Sequence, residues 1–219
     1  MHTISRSAGA GLLVYGVGVT TAFLTLGAPG GAFEPPKVSS YLSSGHWTAA
    51  FAIAYVGVLS ALGLLLFGHG IRRSDGDLGG TLGELIWGGA VAATATSVVG
   101  TFVTGGLDVA MVEGGRAVQD GLPLPVAYTI SEIGNLLTVC APAFLMGTVA
   151  LVLAAKAPLP VWLRGFSALA GVCGILAPLY FTYFVFVLWT VVTAIAILSR
   201  RSARQPRPHR AAEPAVPLV

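Results

Sequence analysis

The sequence predicts an all-α fold: a polytopic membrane bundle of six transmembrane helices, with short connections and a disordered basic C-terminal tail. Three observations carry this. The 219-residue chain is 55% hydrophobic and only 10% charged, with a mean hydropathy of +0.82. A soluble domain carries about 25% charge, so there is too little here to keep a soluble surface wet. The apolar residues come in runs close to the ~20 residues that a helix needs to cross hydrocarbon. Finally, Lys and Arg collect in alternate connections between those runs.

The first run, Ala8–Ala28, follows Arg6. Its apolar core exceeds the ~7–15 residues of a signal peptide. "GGA" at 30–32 is a passable cleavage site, but an uncleaved anchor is the expectation. The second run is Trp47–Phe67, followed by "GHGIRR". The third, Leu85–Thr104, and the fourth, Leu136–Ala155, are each twenty residues without a charge. At ~1.5 Å per residue each reaches about 30 Å, the hydrocarbon thickness.

The last run needs dividing. From Gly165 to Leu198 come 34 uncharged residues, too many for one ordinary span. Pro178 disfavours helix at the residue before it. Tyr180, Phe181, Tyr183 and Phe184 stand beside it, and tyrosine gathers at membrane interfaces. The run therefore splits into Leu163–Leu179 and Tyr183–Leu198, joined by a tight turn. Residues 1–198 then form one transmembrane domain and 199–219 a tail.

Charge placement tests that division. Six spans put Arg6, Arg72, Arg73, Lys156, Arg164, Arg200, Arg201, Arg204, Arg207 and Arg210 on one side, against Lys37 and Arg116 on the other. This ten-to-two bias places both termini in the cytoplasm of a plasma-membrane protein. Five spans would reduce it to five against seven.

Within the third span Gly88, Ala92, Thr96, Gly100 and Thr104 recur every four residues, with Gly89, Ala93 and Ser97 beside them. Small residues let helices approach in lipid. Close packing is the first reading of this stripe. A polar path through Thr94, Thr96, Ser97, Thr101 and Thr104 is the second, although such hydroxyls can satisfy themselves on the preceding turn. Gly57 with Ala61, Ser167 with Gly171, and Ala170 with Gly174 are shorter pairs of the same kind. Pro142 should kink the fourth span or loosen the carbonyl of Thr138.

Outside the spans, Val38, Tyr41 and Leu42 have the spacing of a short surface helix. Residues 105–125 read as an outer loop. The tail, with five Arg and four Pro, cannot build a core. Its Arg200, Arg201 and Arg204 could meet anionic lipid headgroups.

The sequence holds little recognisable chemistry. Cys140 and Cys173 lie inside apolar runs and read as small hydrophobes. No cofactor or metal site is expected, since four convergent ligands or paired intramembrane histidines are not found. "SSGH" at 43–46 is no triad. Nothing points to nucleic acid, and a protein partner or homo-oligomer is not legible.

Two acids remain, Glu84 and Glu132, in "TLGE" and "TISE". Both fit a T-x-x-E capping box, with Thr81 and Thr129 as helix caps and each Glu reaching back to its Thr amide. The alternative makes Glu132 a functional acid in the membrane, with Asn135 one turn deeper.

The stretches "VSSYLSSGHWTAAF", "GELIWGGAVAA", "EIGNLL" and "APLPVWLRGFSALAG" resemble a broad set of actinobacterial six-span membrane proteins. More loosely, they resemble the domain-of-unknown-function 4386 family. Leu159-Pro160-Val161-Trp162-Leu163 is similar to that family's "LPxWL" entry to its fifth span, with Trp162 at the inner interface. The resemblance implies a six-helix inner-membrane bundle and brings no activity. The expected function is accordingly a non-enzymatic integral membrane protein that contacts lipid or protein. The rival is a small-solute or proton-coupled transporter or channel using Glu132, Asn135 and the hydroxyl-rich third helix, Thr96 and Thr104 included, with Glu84 a further candidate polar residue.

Overall fold

The computed structural model describes residues 4–25, 47–74, 78, 80–115, 118, 121–179 and 181–199. The signal-cleavage site, the surface helix at 38–42, His46 and the tail arginines fall outside these residues. Among the described residues the chain is all-helical, with no strand. The helices are α1 (Arg6–Thr25), α2 (Trp47–Arg72), α3 (Thr81–Glu113), α4 (Leu124–Asn135), α5 (Ala141–Lys156), α6 (Val161–Ile175) and α7 (Tyr183–Ser199). A π-helical turn, Leu136–Cys140, links α4 to α5 with helical dihedrals on both sides, so the two make one continuous rod.

Prolines set several of the boundaries. Pro123 precedes α4 and Pro125 stands in its first turn, where a missing amide hydrogen costs nothing. Ala157 is extended (ψ 147°) before Pro158, and α5 stops there. Pro160 precedes α6 and its carbonyl accepts the Arg164 amide. Pro178 lies in a 3-10 turn, Ala177–Leu179, that separates α6 from α7. The division of the last apolar run into two helices thus holds, although α6 ends at Ile175 rather than Leu179.

Two other boundaries move furthest. The third helix continues to Glu113, so much of the expected 105–125 loop is helical: Gly105 and Gly106 do not break α3, and Leu107 is buried beyond them. The fourth begins at Leu124, twelve residues before the charge-free run expected to start at Leu136. Among the described residues, three stretches are long and apolar enough to cross a membrane: Ala54–Arg72, Thr81–Leu107 and Pro125–Lys156. Val161–Ile175 and Tyr183–Ser199 are shorter apolar helices.

Each helix packs on its neighbour in the chain, and α1 returns to α7, closing a ring. Tyr15, Phe67, Met146, Phe186 and Trp189 are buried in it, with the Phe186 and Trp189 rings stacked at 5.8 Å. The outward faces are equally apolar, with Leu59, Phe102, Phe144 and Leu188 exposed. Apolarity on all sides of a helix is the pattern that suits crossing a membrane.

Glycine sets the spacing between helices. A β-carbon at Gly11 would collide with the backbones of Gly63 and Phe67, joining α1 to α2. Gly100 stands in the same relation to Gly134 and Thr138, and Gly147 to Gly171 and Gly174. The four-residue stripe on α3 is only partly such a face. Gly100 is buried, but Gly88 and Ala92 are exposed, and a β-carbon at Gly88 meets nothing. At ~100° per residue a four-residue step drifts about 40°, or roughly 160° from Gly88 to Thr104. The buried line runs instead through Ile86, Ala90, Ala93, Ser97, Gly100 and Thr101.

Contacts also sort the ends of the bundle. The Ser5 amide donates to Ser74 Oγ at 3.3 Å. Gly70 meets Ala8, Gly68 meets Trp87, Gly89 faces Val149 and Gly9 faces Ile197. Arg6, Arg72, Arg73, Glu84, Lys156 and Arg164 therefore share one end, while Glu113 and Glu132 lie toward the other.

Candidate functional site

The sequence singled out polar residues on the third and fourth helices, and the structure rearranges their roles. Glu84 is not in a capping box. The Glu84 amide bonds the carbonyl of Gly80, so α3 starts one residue before the box requires. The Glu84 carboxylate pairs with Arg72 instead, Oε1 to Nε at 2.7 Å, tying α3 to the end of α2. Both groups are about half exposed, where such a pair contributes only about 0–1 kcal/mol. His69 and Trp87 meet edge-on at the same end, with ring centroids 6.2 Å apart.

The second box fails more completely. Pro123 occupies the N-cap of α4, and Thr129 and Glu132 are interior residues of that helix. The Thr129 hydroxyl donates to the carbonyl of Pro125 at 2.7 Å, a bond back along its own helix. The cap assignments for Thr81, Glu84, Thr129 and Glu132 are therefore withdrawn. The physical reason is where the helices begin: α4 starts at Leu124, five residues before Thr129, and α3 is already hydrogen-bonded from the Gly80 carbonyl. Glu132 is half-buried, as is Asn135. Asn135 precedes the π turn and makes no side-chain capping bond.

What the structure does bring together is the crossing of α3 with the rod. Gly100 and Gly134 let the two backbones approach, and the Thr104 methyl packs on Gly134. Pro142 has no amide hydrogen for the carbonyl of Thr138, four residues earlier. Ser97 supplies the missing donor, its hydroxyl reaching Thr138 O at 3.2 Å. The π turn begins two residues before Thr138, with the Ala141 amide bonded to Leu136 O. Such turns are frequent at functional sites. The Thr138 hydroxyl is buried in the same crossing with no hydrogen-bond partner among the described residues. Thr138 and Ser97 were visible from the sequence only through Pro142, which marks a carbonyl in need of a donor. Glu84 belongs to none of this; twenty residues of helix, about 30 Å, separate it from Thr104.

The hydroxyls of Thr94, Thr96, Thr101 and Thr104 on α3 bond backbone carbonyls. Thr94 donates to Ala90 O and is also within reach of Ala61 O on α2. Thr96 bonds Ala93 O, Thr101 bonds Ser97 O, and Thr104 bonds Gly100 O or Thr101 O. Elsewhere, Trp189 Nε1 donates to Ser167 Oγ at 2.8 Å across α6 and α7. Tyr183, expected at the interface, is buried at 2% exposure, while Phe181 and Phe184 take the outer positions at 83% and 61%. Cys140 and Cys173 are free thiols.

Two apolar recesses open on the outer surface. One, about 430 Å³, lies along the π turn and includes Leu137, Cys140, Phe144 and Pro178. The other, about 530 Å³, lies between α5 and α6 beside Arg164. Among the described residues no group of three or more His, Cys, Asp or Glu is placed to hold a metal ion. Fold and surface together define, among the described residues, an all-helical architecture with three helices long and apolar enough to cross a membrane. No protein-family model, curated protein or solved structure matches the chain.

Proposed function

We propose that the chain crosses the plasma membrane six times, with both termini cytoplasmic, and serves a non-enzymatic role through contacts with lipid or a protein partner. The observation that carries this reading is where the polar groups go. The hydroxyls of α3 are spent on backbone carbonyls, and the recesses face outward with apolar walls. Neither arrangement offers a hydrated path. Segregation of the basic residues to one end supports the orientation. The α6 and α7 helices, ~22 and ~26 Å long by rise, are short for a 30 Å core and require local thinning of the bilayer. The family resemblance in the sequence supports the same six-helix arrangement.

A transporter remains the second reading, favoured by one specific feature: the π turn and the unpartnered Thr138 hydroxyl lie one turn from Asn135 and two from Glu132. Solute and proton flux into liposomes containing the purified protein tests the choice. The expected result is background flux for wild type and for Glu132→Gln alike. Wild-type flux above protein-free liposomes that falls in Glu132→Gln would transfer the assignment to transport.

A further inference from the structure

We propose that the groove between α5 and α6 at the basic end of the bundle is a binding site for an anionic phospholipid. This rests on the lipid-contact reading above and gives it a place and a chemistry.

The groove, about 530 Å³, is lined by Leu151, Ala154, Val161, Gly165 and Ala168, with Arg164 at its edge. Its walls are apolar, and the small side chains of Ala154, Ala155, Gly165 and Ala168 leave it open. A β-carbon at Gly165 meets nothing within 4 Å, so the trough is real space between two helices that elsewhere touch through Gly147 and Gly171. An acyl chain fits that trough by the same physics that keeps the outer surface apolar.

The mouth is cationic. Arg164 Nε donates to Ala154 O at 2.8 Å, and Nη2 reaches Ala155 O at 3.5 Å. These bonds use two of the five guanidinium N–H groups and hold the fork beside the groove, leaving three for a ligand oxygen. Lys156, exposed, ends α5 next to it. Glu84, the acid at this end among the described residues, is already engaged by Arg72. Trp162, 59% exposed two residues before Arg164, is the amphipathic residue that settles at headgroup depth.

Charge complementarity selects the occupant. A phosphodiester headgroup with net negative charge answers Arg164 and Lys156, and its chain answers the groove. The chain's own C-terminal segment, with five arginines, carries the wrong sign. A zwitterionic lipid fills the groove but gains less at the mouth.

The test is lipid titration of the full-length protein in detergent, read by thermal shift and by lipid adducts in native mass spectrometry. The probes are phosphatidylglycerol, phosphatidylcholine of the same chains, and inorganic phosphate. Wild type should prefer phosphatidylglycerol. Arg164→Gln and Lys156→Gln should each weaken that lipid roughly fivefold and leave phosphatidylcholine nearly unchanged. Gly165→Leu, which fills the trough from an open position, should weaken both lipids. Should Arg164→Gln fold poorly through loss of its bonds to α5, Lys156→Gln and Gly165→Leu still decide.

Unchanged phosphatidylglycerol affinity in Lys156→Gln and Gly165→Leu overturns the site. If the triple variant Arg200→Gln, Arg201→Gln, Arg204→Gln then loses the lipid, the broader lipid reading survives without it. Equal, weak binding of both lipids in every protein overturns both. Inorganic phosphate competing as well as the lipid overturns the phospholipid assignment.

Discussion

A proline without an amide hydrogen and a serine on the neighbouring helix form the most informative residue pair in this protein. Ser97 donates to the Thr138 carbonyl, which Pro142 cannot reach as a donor. Replacing Ser97 by Ala should cost about 0.6–1 kcal/mol, the usual range for a hydrogen bond between helices in a membrane protein. In a Pro142→Ala background the restored amide can serve the rod's own carbonyls, and the same Ser97→Ala change should cost measurably less. A double-mutant cycle read by reversible unfolding in mixed micelles checks this; equal costs in the two backgrounds would mean that the two residues are uncoupled. Ser167 offers a simpler case. Its oxygen accepts the buried Trp189 indole N–H, so Ser167→Ala should destabilise by about 1–3 kcal/mol. The need of the Thr138 carbonyl was legible in the sequence because a proline's deficit is local. That Ser97 meets it was not, because the two residues are 41 positions apart.

At the scale of elements, glycine decides which helical faces meet. Gly100 and Gly88 have the same residue type and belong to the same four-residue stripe, yet only Gly100 lies against backbone. Gly100→Val should prevent correct packing of α3 on the rod, with a loss well above the ±0.5 kcal/mol of a neutral surface change. Gly88→Val, pointing into open space, should stay within that range apart from a small propensity gain. Thermal unfolding of both variants in one detergent makes the comparison. Helix existence was readable from hydropathy, and so was the break at Pro178. The ends were not. Gly105 and Gly106 look like a loop but continue α3, and "TISE" looks like a helix start but lies inside α4. In both cases packing against a neighbouring helix outweighed the local signal.

For the whole molecule, the ring of helices gathers Arg6, Arg72, Arg73, Lys156 and Arg164 at one end and leaves Glu113 and Glu132 toward the other. With Cys140 and Cys173 replaced by Ala, a single cysteine at Arg73 should be protected from an impermeant thiol reagent in intact cells. One at Glu113 should be labelled. The reverse pattern would invert the topology, and labelling of both would end the six-crossing reading.

Hydropathy by itself marked out helices long and apolar enough to cross a membrane, and the prolines marked several of their breaks, since hydropathy, charge count and a missing amide hydrogen are properties of single residues or short runs. Tertiary structure decided which faces turn inward, that Glu84 pairs with Arg72, that Tyr183 is buried, and that Glu132 belongs to a helix interior. The physical reason is the solvent. In water an apolar stripe betrays the buried face of a helix, but in lipid both faces are apolar. The inward side is then chosen by shape, where glycine lets another backbone approach, and shape depends on partners distant in the chain.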